Sequence, residues 1–214
     1  MLSKYELLIF DWDGTVMDSV PRIVSCLSEA AKATGGLPDL DGHELKQVIG
    51  LSLERCYEVL YPEAPKSMYE TWKGHYRDQF VDLNPVPHYL FDGVADTLTA
   101  LKERGLKLAV ATGKSRVGLD RAFGEAGIEA LFDASRTADE TASKPDPLMI
   151  SELLEELGVK PESALMIGDT SHDMKLAINA GVDAIAVSWG VHTKEELSSY
   201  SPVKVIEDIR ELLA

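Results

Sequence analysis

The stretch Leu7-Leu8-Ile9-Phe10-Asp11-Trp12-Asp13-Gly14-Thr15 joins a short apolar run, which begins at Tyr5-Glu6, to two carboxylates spaced i, i+2. Such an unbroken apolar run predicts a parallel strand buried on both faces. In extended backbone successive side chains alternate, so Asp11 and Asp13 share one side while Trp12 turns into the core. Two carboxylates on one side repel unless a cation or a shared proton intervenes. Gly14 allows a sharp turn that brings backbone N–H groups near whatever the carboxylates address. Thr15 adds a hydroxyl and a start signal for a following helix. Alone, D-x-D-G is an acidic turn. The rest of the chain gives it a purpose.

After Thr15 the pattern becomes helical. Ile23, Val24, Leu27, Ala30 and Ala31 fall at helical spacing behind Pro21, and Gly35-Gly36-Leu37-Pro38 ends the run. Leu45, Val48, Ile49 and then Leu53, Cys56, Tyr57, Leu60 predict two short amphipathic segments around Gly50. Met68, Trp72, Tyr76 and Phe80 recur every fourth residue, an aromatic stripe expected to form internal core rather than a pocket wall. Residues 16–85 thus read as an all-helical piece without strands, inserted into a second unit made of residues 1–15 and 86–214.

From Asp92-Gly93 onward helices and strands alternate. Strands are expected at 106–111, 164–167 and 184–187, with helices at 93–104, 115–126, 148–157 and 174–180 and a terminal helix through Ile209, Leu212 and Leu213. Repeated β-α units imply an α/β fold, a doubly wound, Rossmann-like parallel sheet with helices on both faces.

The formal net charge of −15, from 36 acidic against 21 basic residues, argues against nucleic acid or an anionic membrane as main partner, since phosphate backbones need clustered Lys and Arg. Two cysteines without C-x-x-C spacing fit a reduced, intracellular chain. No apolar run approaches the ~20 residues of a membrane helix, and no signal-peptide architecture precedes the first strand. The expectation is a cytoplasmic monomer or homodimer.

Three apolar runs end in polar groups, Asp11/Asp13, Thr112/Lys114 and Asp169/Asp173. Open parallel sheets bind ligands beyond the carboxyl ends of their strands, so these residues should converge on one crevice. Lys144, in the Lys144-Pro145-Asp146-Pro147 loop, can join them, whereas Asp146 reads as a helix-start residue outside the site. Several carboxylates with backbone carbonyls make a hard oxygen site suited to Mg²⁺. A Lys, a Thr hydroxyl and the N–H groups of helix starts, those near Gly14 and Thr15 included, suit a phosphate dianion. One unencumbered carboxylate can attack phosphorus.

On these motifs the chain resembles haloacid-dehalogenase-superfamily hydrolases, in their phosphoglycolate phosphatase-like and β-phosphoglucomutase-like branch. Asp11-Trp12-Asp13-Gly14-Thr15 matches the first motif, Thr112 the second, Lys144 the third and Gly168-Asp169-Thr170-Ser171-His172-Asp173 the fourth. The resemblance implies a helical, C1-type cap between the first and second motifs, where the strand-free stretch lies. It implies Asp11 as nucleophile and Asp13 as general acid, then base. Thr112 and the Gly113 N–H would hold the phosphoryl oxygens, and Lys144 would offset their charge. Mg²⁺ would rest on Asp11, the Asp13 carbonyl and Asp169, with Asp173 behind them. Gly113 departs from the Asn common in phosphoglycolate phosphatase-like members, and an acid at Asp13, where dehalogenases carry Tyr, favours phosphate esters. The implied activity is hydrolysis of a small phosphorylated metabolite. A phosphomutase, an inorganic pyrophosphatase and a silent phospho-ligand sensor are the alternatives. Lys114 and His172 could reach the site or lie at the surface, and Arg22, Lys46 and Arg55 are candidates for a substrate's second anionic group.

Overall fold

The computed structural model describes residues 2–214. Six parallel strands form the main sheet in the order β5-β4-β1-β6-β7-β8, with β1 at Leu7–Phe10, β4 at Lys107–Thr112, β5 at Ala134–Thr137, β6 at Ala164–Gly168, β7 at Asp183–Val187 and β8 at Lys204–Ile206. Register pairs Leu8 with Leu108 on one side and Leu165 on the other. Both faces are covered, and alternation sorts the strand residues between them. Leu8, Phe10, Leu108, Val110, Leu165 and Ile167 face one apolar cluster under α5 (Val94–Glu103) and α6 (Arg116–Ala126). Leu7, Ile9, Ala109, Ala111, Ala164 and Met166 face the other, under α7 (Leu148–Leu157) and α8 (Ser171–Ala180). Trp12 is fully buried against Phe123, its ring edge-on at 5.1 Å, so it packs the core as the alternation implies.

Four helices, α1 (Val20–Thr34), α2 (Gly42–Lys46), α3 (Leu53–Leu60) and α4 (Tyr69–Asp78), gather over a separate apolar cluster centred on Trp72, Tyr57 and Leu27. They form a helical cap that sits on the carboxyl ends of β1, β4 and β6. The interval 16–85 is not strand-free. Its β2 (Met17–Asp18) pairs antiparallel with β3 (Tyr89–Leu90). This ribbon ties the chain's exit into the cap to its return, a long-range pairing that no local period reveals.

Four further elements differ from expectation. Strand β5 reads Ala-Ser-Arg-Thr, without an apolar run, because an edge strand buries one side only. Strand β8 and the helix α9 (Lys194–Ser198) are too short for a periodic signal. The terminal turn Ile209–Leu213 is 3₁₀ rather than α, capped by Asp208 and Glu211.

Candidate active site

The site forms where adjacent strands β4, β1 and β6 release their chains in one direction. Asp11 follows β1, Thr112 closes β4 and Asp169 follows β6, all essentially buried. Lys144 enters from the loop before α7 and is fully buried as well. Its Nζ lies 2.7 Å from Asp11 Oδ1 and donates to Asp173 Oδ1 at 2.6 Å. The second oxygen of Asp173 accepts from the Thr170 N–H at 3.0 Å and the Thr170 hydroxyl at 2.6 Å, a capping box at the start of α8. Both Asp173 oxygens are therefore engaged by the protein, which keeps this carboxylate behind the site.

Asp169 is held differently. Its Oδ1 accepts from the Thr15 hydroxyl at 2.7 Å and its Oδ2 from the Val191 N–H at 2.8 Å. Close approach requires glycine on both sides. A Cβ at Gly14, whose φ is +86°, or at Gly190 would lie 2.2 Å from Asp169 Oδ2.

The expected phosphate contacts at Gly14 and Thr15 are revised by this arrangement. The Gly14 N–H donates to Met17 O at 2.9 Å, the Thr15 N–H points to Trp12 O at 3.4 Å, and the Thr15 hydroxyl is taken by Asp169. The turn consumes its own donors, and the helix it was expected to start begins only at Val20. Thr112 and Gly113 remain available. Thr112 Oγ1 accepts from the Lys114 N–H at 3.2 Å and keeps its hydroxyl proton, while the Gly113 N–H finds no acceptor among the described residues.

Asp13 stands at the mouth of the site. Its Oδ1 accepts from the Ser19 hydroxyl at 2.6 Å and lies 3.0 Å from Lys114 Nζ. Ser19 occupies the cap position of α1 yet makes no side-chain cap bond there. Its hydroxyl is turned to Asp13 instead. Lys114 belongs to the site, with its ammonium also 4.7 Å above the Phe80 ring.

Of the other candidates, His172 is half-buried and its Nε2 donates to Gln47 O of the cap at 3.0 Å. Arg22 spends its guanidinium on Phe80 O and Val86 O, and Arg55 pairs with Glu58. Lys46 is exposed. Asp146 stays outside, its carboxylate accepting from the Leu148 N–H at 3.0 Å.

Three buried carboxylates, Asp11, Asp169 and Asp173, face one ammonium, an excess of two negative charges, and they can offer oxygens within 4.8 Å of one another. Burial raises Asp11 well above the usual carboxylate range, with Asp173 and Asp169 adding repulsion that Lys144 only partly offsets. Burial, then Asp173, pushes Asp169 up to about 7. Burial alone would lower Lys144, but Asp11 and Asp173 more than reverse it and hold the ammonium charged. Asp11 Oδ1 meets only the Lys144 ammonium, and Asp11 Oδ2 receives no hydrogen bond from the described residues. Buried carboxylates are ordinarily satisfied, so the donor set fits a divalent cation that takes hard oxygen ligands.

Comparison with known proteins agrees with this arrangement. The sequence pattern of the haloacid dehalogenase-like hydrolases matches residues 8–187. "Probable phosphatase IndB" of Dickeya dadantii is 32% identical over 97% of this chain and 91% of its own length. A phosphoglycolate phosphatase of Agrobacterium fabrum is 30% identical over 96% and 90%, respectively. A solved hydrolase from Pseudomonas syringae superposes with a TM-score of 0.86 at 25% identity, covering 96% of this chain and 95% of that one. With the family pattern spanning most of the chain and the site assembled at the expected strand ends, this protein belongs to the haloacid dehalogenase-like hydrolases.

Proposed function

We propose that the chain is a Mg²⁺-dependent phosphatase that hydrolyses a small phosphorylated metabolite through a phosphoryl group carried on Asp11. The observation that carries this reading is Asp11 itself, a buried carboxylate with one oxygen on Lys144 and the other without a hydrogen bond, within reach of Asp169. The phosphatase names of the Dickeya and Agrobacterium relatives support it.

Asp11, Asp169 and the Asp13 backbone carbonyl would hold the ion, with Asp173 behind them. When bound, it neutralises the excess charge and screens the phosphate from the Asp11 carboxylate. An Asp11 oxygen attacks phosphorus as the bond to the leaving alkoxide breaks, and the proton on Asp13 passes to that alkoxide. Asp13, now a carboxylate, takes a proton from water as the water oxygen attacks phosphorus. The Asp11–phosphorus bond breaks, and inorganic phosphate leaves. Ser19 and Lys114 hold Asp13 in place for both transfers. Thr112 and the Gly113 N–H donate to the equatorial oxygens, whose charge Lys144 offsets, the positioning and electrostatic work that phosphoryl transfer needs.

The test is phosphate release from a panel of phosphate esters with and without Mg²⁺, beside Asp11→Asn. Turnover that requires Mg²⁺ and vanishes in Asp11→Asn, with folding retained, is expected. A near-normal rate in Asp11→Asn would remove the nucleophile assignment.

A further inference from the structure

Between cap and core, opening onto Asp13 and Lys114, lies a cavity of about 810 Å³. Pockets of roughly 300–1,000 Å³ enclose ligands of drug size. A leaving group as small as glycolate or a second phosphate would leave most of this space to water, for which there is room for roughly two dozen molecules.

The wall of the cavity is organised as well as large. Tyr76 and Phe80, successive turns of the aromatic stripe, stack with ring centroids 5.9 Å apart and planes 29° apart. The stack begins at Trp72, which is fully buried in the cap core and lies 6.1 Å from Tyr76. The stripe thus starts as core and ends as pocket lining. Tyr76 and Phe80 are only half-buried, and both face the cavity with Val48 and Ile49 nearby. The Tyr76 hydroxyl makes no hydrogen bond to any described residue. Phe80 abuts the Lys114 ammonium, which in turn meets Asp13. An alcohol released at Asp13 therefore finds the Phe80 and Tyr76 rings on one side of a cavity that charged side chains, Lys73, Arg77 and Arg121 among them, also line.

We propose that the substrate is a phosphate monoester whose alcohol carries a flat aromatic ring, and that the ring packs along Tyr76 and Phe80. This rests on the phosphatase reading above and narrows it. Aromatic faces at 4.5–7 Å attract one another beyond simple area burial, and the free Tyr76 hydroxyl offers a polar anchor at the edge of the same wall.

The probes are ethyl phosphate and 2-phenylethyl phosphate, whose alcohols leave with similar ease, so that their ratio of kcat/KM reads the pocket and not the chemistry. Pyrophosphate and phosphoglycolate are assayed beside them with Mg²⁺. The 2-phenylethyl ester is expected to be favoured over the ethyl ester by about tenfold or more, the scale set by moving a ring's apolar surface out of water. Tyr76→Ala should shrink that ratio several-fold, and Tyr76→Phe should preserve it, which separates ring packing from a folding defect. A ratio near one in the wild-type protein, or faster turnover of pyrophosphate or phosphoglycolate, overturns the inference and leaves the phosphatase reading intact. No release of phosphate from any probe overturns both.

Discussion

Gly113→Ala should open the cap without unfolding the protein. Gly113 lies directly beneath the cap loop, and a Cβ placed there would come within 2.5 Å of both Gly50 O and Leu51 O. Ordinary contact begins near 3.4 Å, so the loop would have to retreat by about 0.9 Å. Both obstacles are backbone carbonyls, which cannot swing aside as a flexible side chain can. The loop is also tied down around them. The Ser52 N–H donates to Ser143 Oγ at 2.8 Å, and His172 donates to Gln47 O at 3.0 Å. Gly50 itself rests on Thr170, where an added Cβ would lie 3.4 Å from Oγ1. Overpacking of this kind costs about 1–3 kcal/mol, which is roughly 5–150-fold in the population of the closed cap. The expected result is a fall in kcat/KM within that range, measured by phosphate release from 2-phenylethyl phosphate. Tm should stay within about 2 °C, because a raised cap relieves the contact. Small-angle scattering should show a larger radius of gyration for the variant. A Gly113→Ala protein with kcat/KM within twofold of the parent would refute the argument.

Ser19→Ala removes a buried hydrogen bond to Asp13, worth about 0.5–1.5 kcal/mol, and should lower kcat several-fold with little change in KM, while an unchanged kcat would free Asp13 of its dependence on Ser19. In the metal-free protein, the folded-state value of about 7 for Asp169 lies above its ordinary 3.8, so the native state binds the extra proton and stability falls as pH rises through that window. His172 and His192 act in the opposite sense: burial lowers both from 6.5, so at pH 6.5 the unfolded chain binds more protons on them than the native state, and their contribution to stability rises between pH 6.5 and pH 8. The histidine contribution is common to the metal-free and the Mg²⁺-loaded protein, so the Mg²⁺-induced rise in Tm isolates the carboxylates: it should be larger at pH 8 than at pH 6.5, and an equal rise at the two pH values would contradict the burial of the carboxylates. Trp12→Ala should cost about 3–5 kcal/mol in urea unfolding, whereas Trp12→Phe should cost about 1–2 kcal/mol because it also removes an indole N–H that is buried without a partner.

Much of this site was legible because it follows strand ends. The run Leu7–Phe10 is apolar on both faces, which only a covered parallel sheet accommodates, and the carboxyl ends of such strands share one crevice. Asp11, Thr112, Lys144, Asp169 and Asp173 could therefore be placed together from order and local pattern alone. That both faces of the sheet are covered followed from the unbroken apolar runs and the repeated β-α units, and the separate helical stretch from a period of about four in its apolar residues.

Tertiary structure decided what local pattern could not carry. Ser19 sits where a helix cap belongs and instead holds Asp13. Thr15 looks like a ligand donor and instead holds Asp169. The β2–β3 ribbon joins Met17 to Leu90 across the whole cap. Gly190 and Gly113 matter for what passes beside them, an Asp169 carboxylate and two cap carbonyls. Even the Met68, Trp72, Tyr76, Phe80 stripe changes character along its length, from core at Trp72 to cavity wall at Phe80. Periodicity records which side of a helix is apolar. Whether that side meets another helix or an open pocket depends on where the cap comes to rest on the core, and that is set by contacts between residues far apart in the chain.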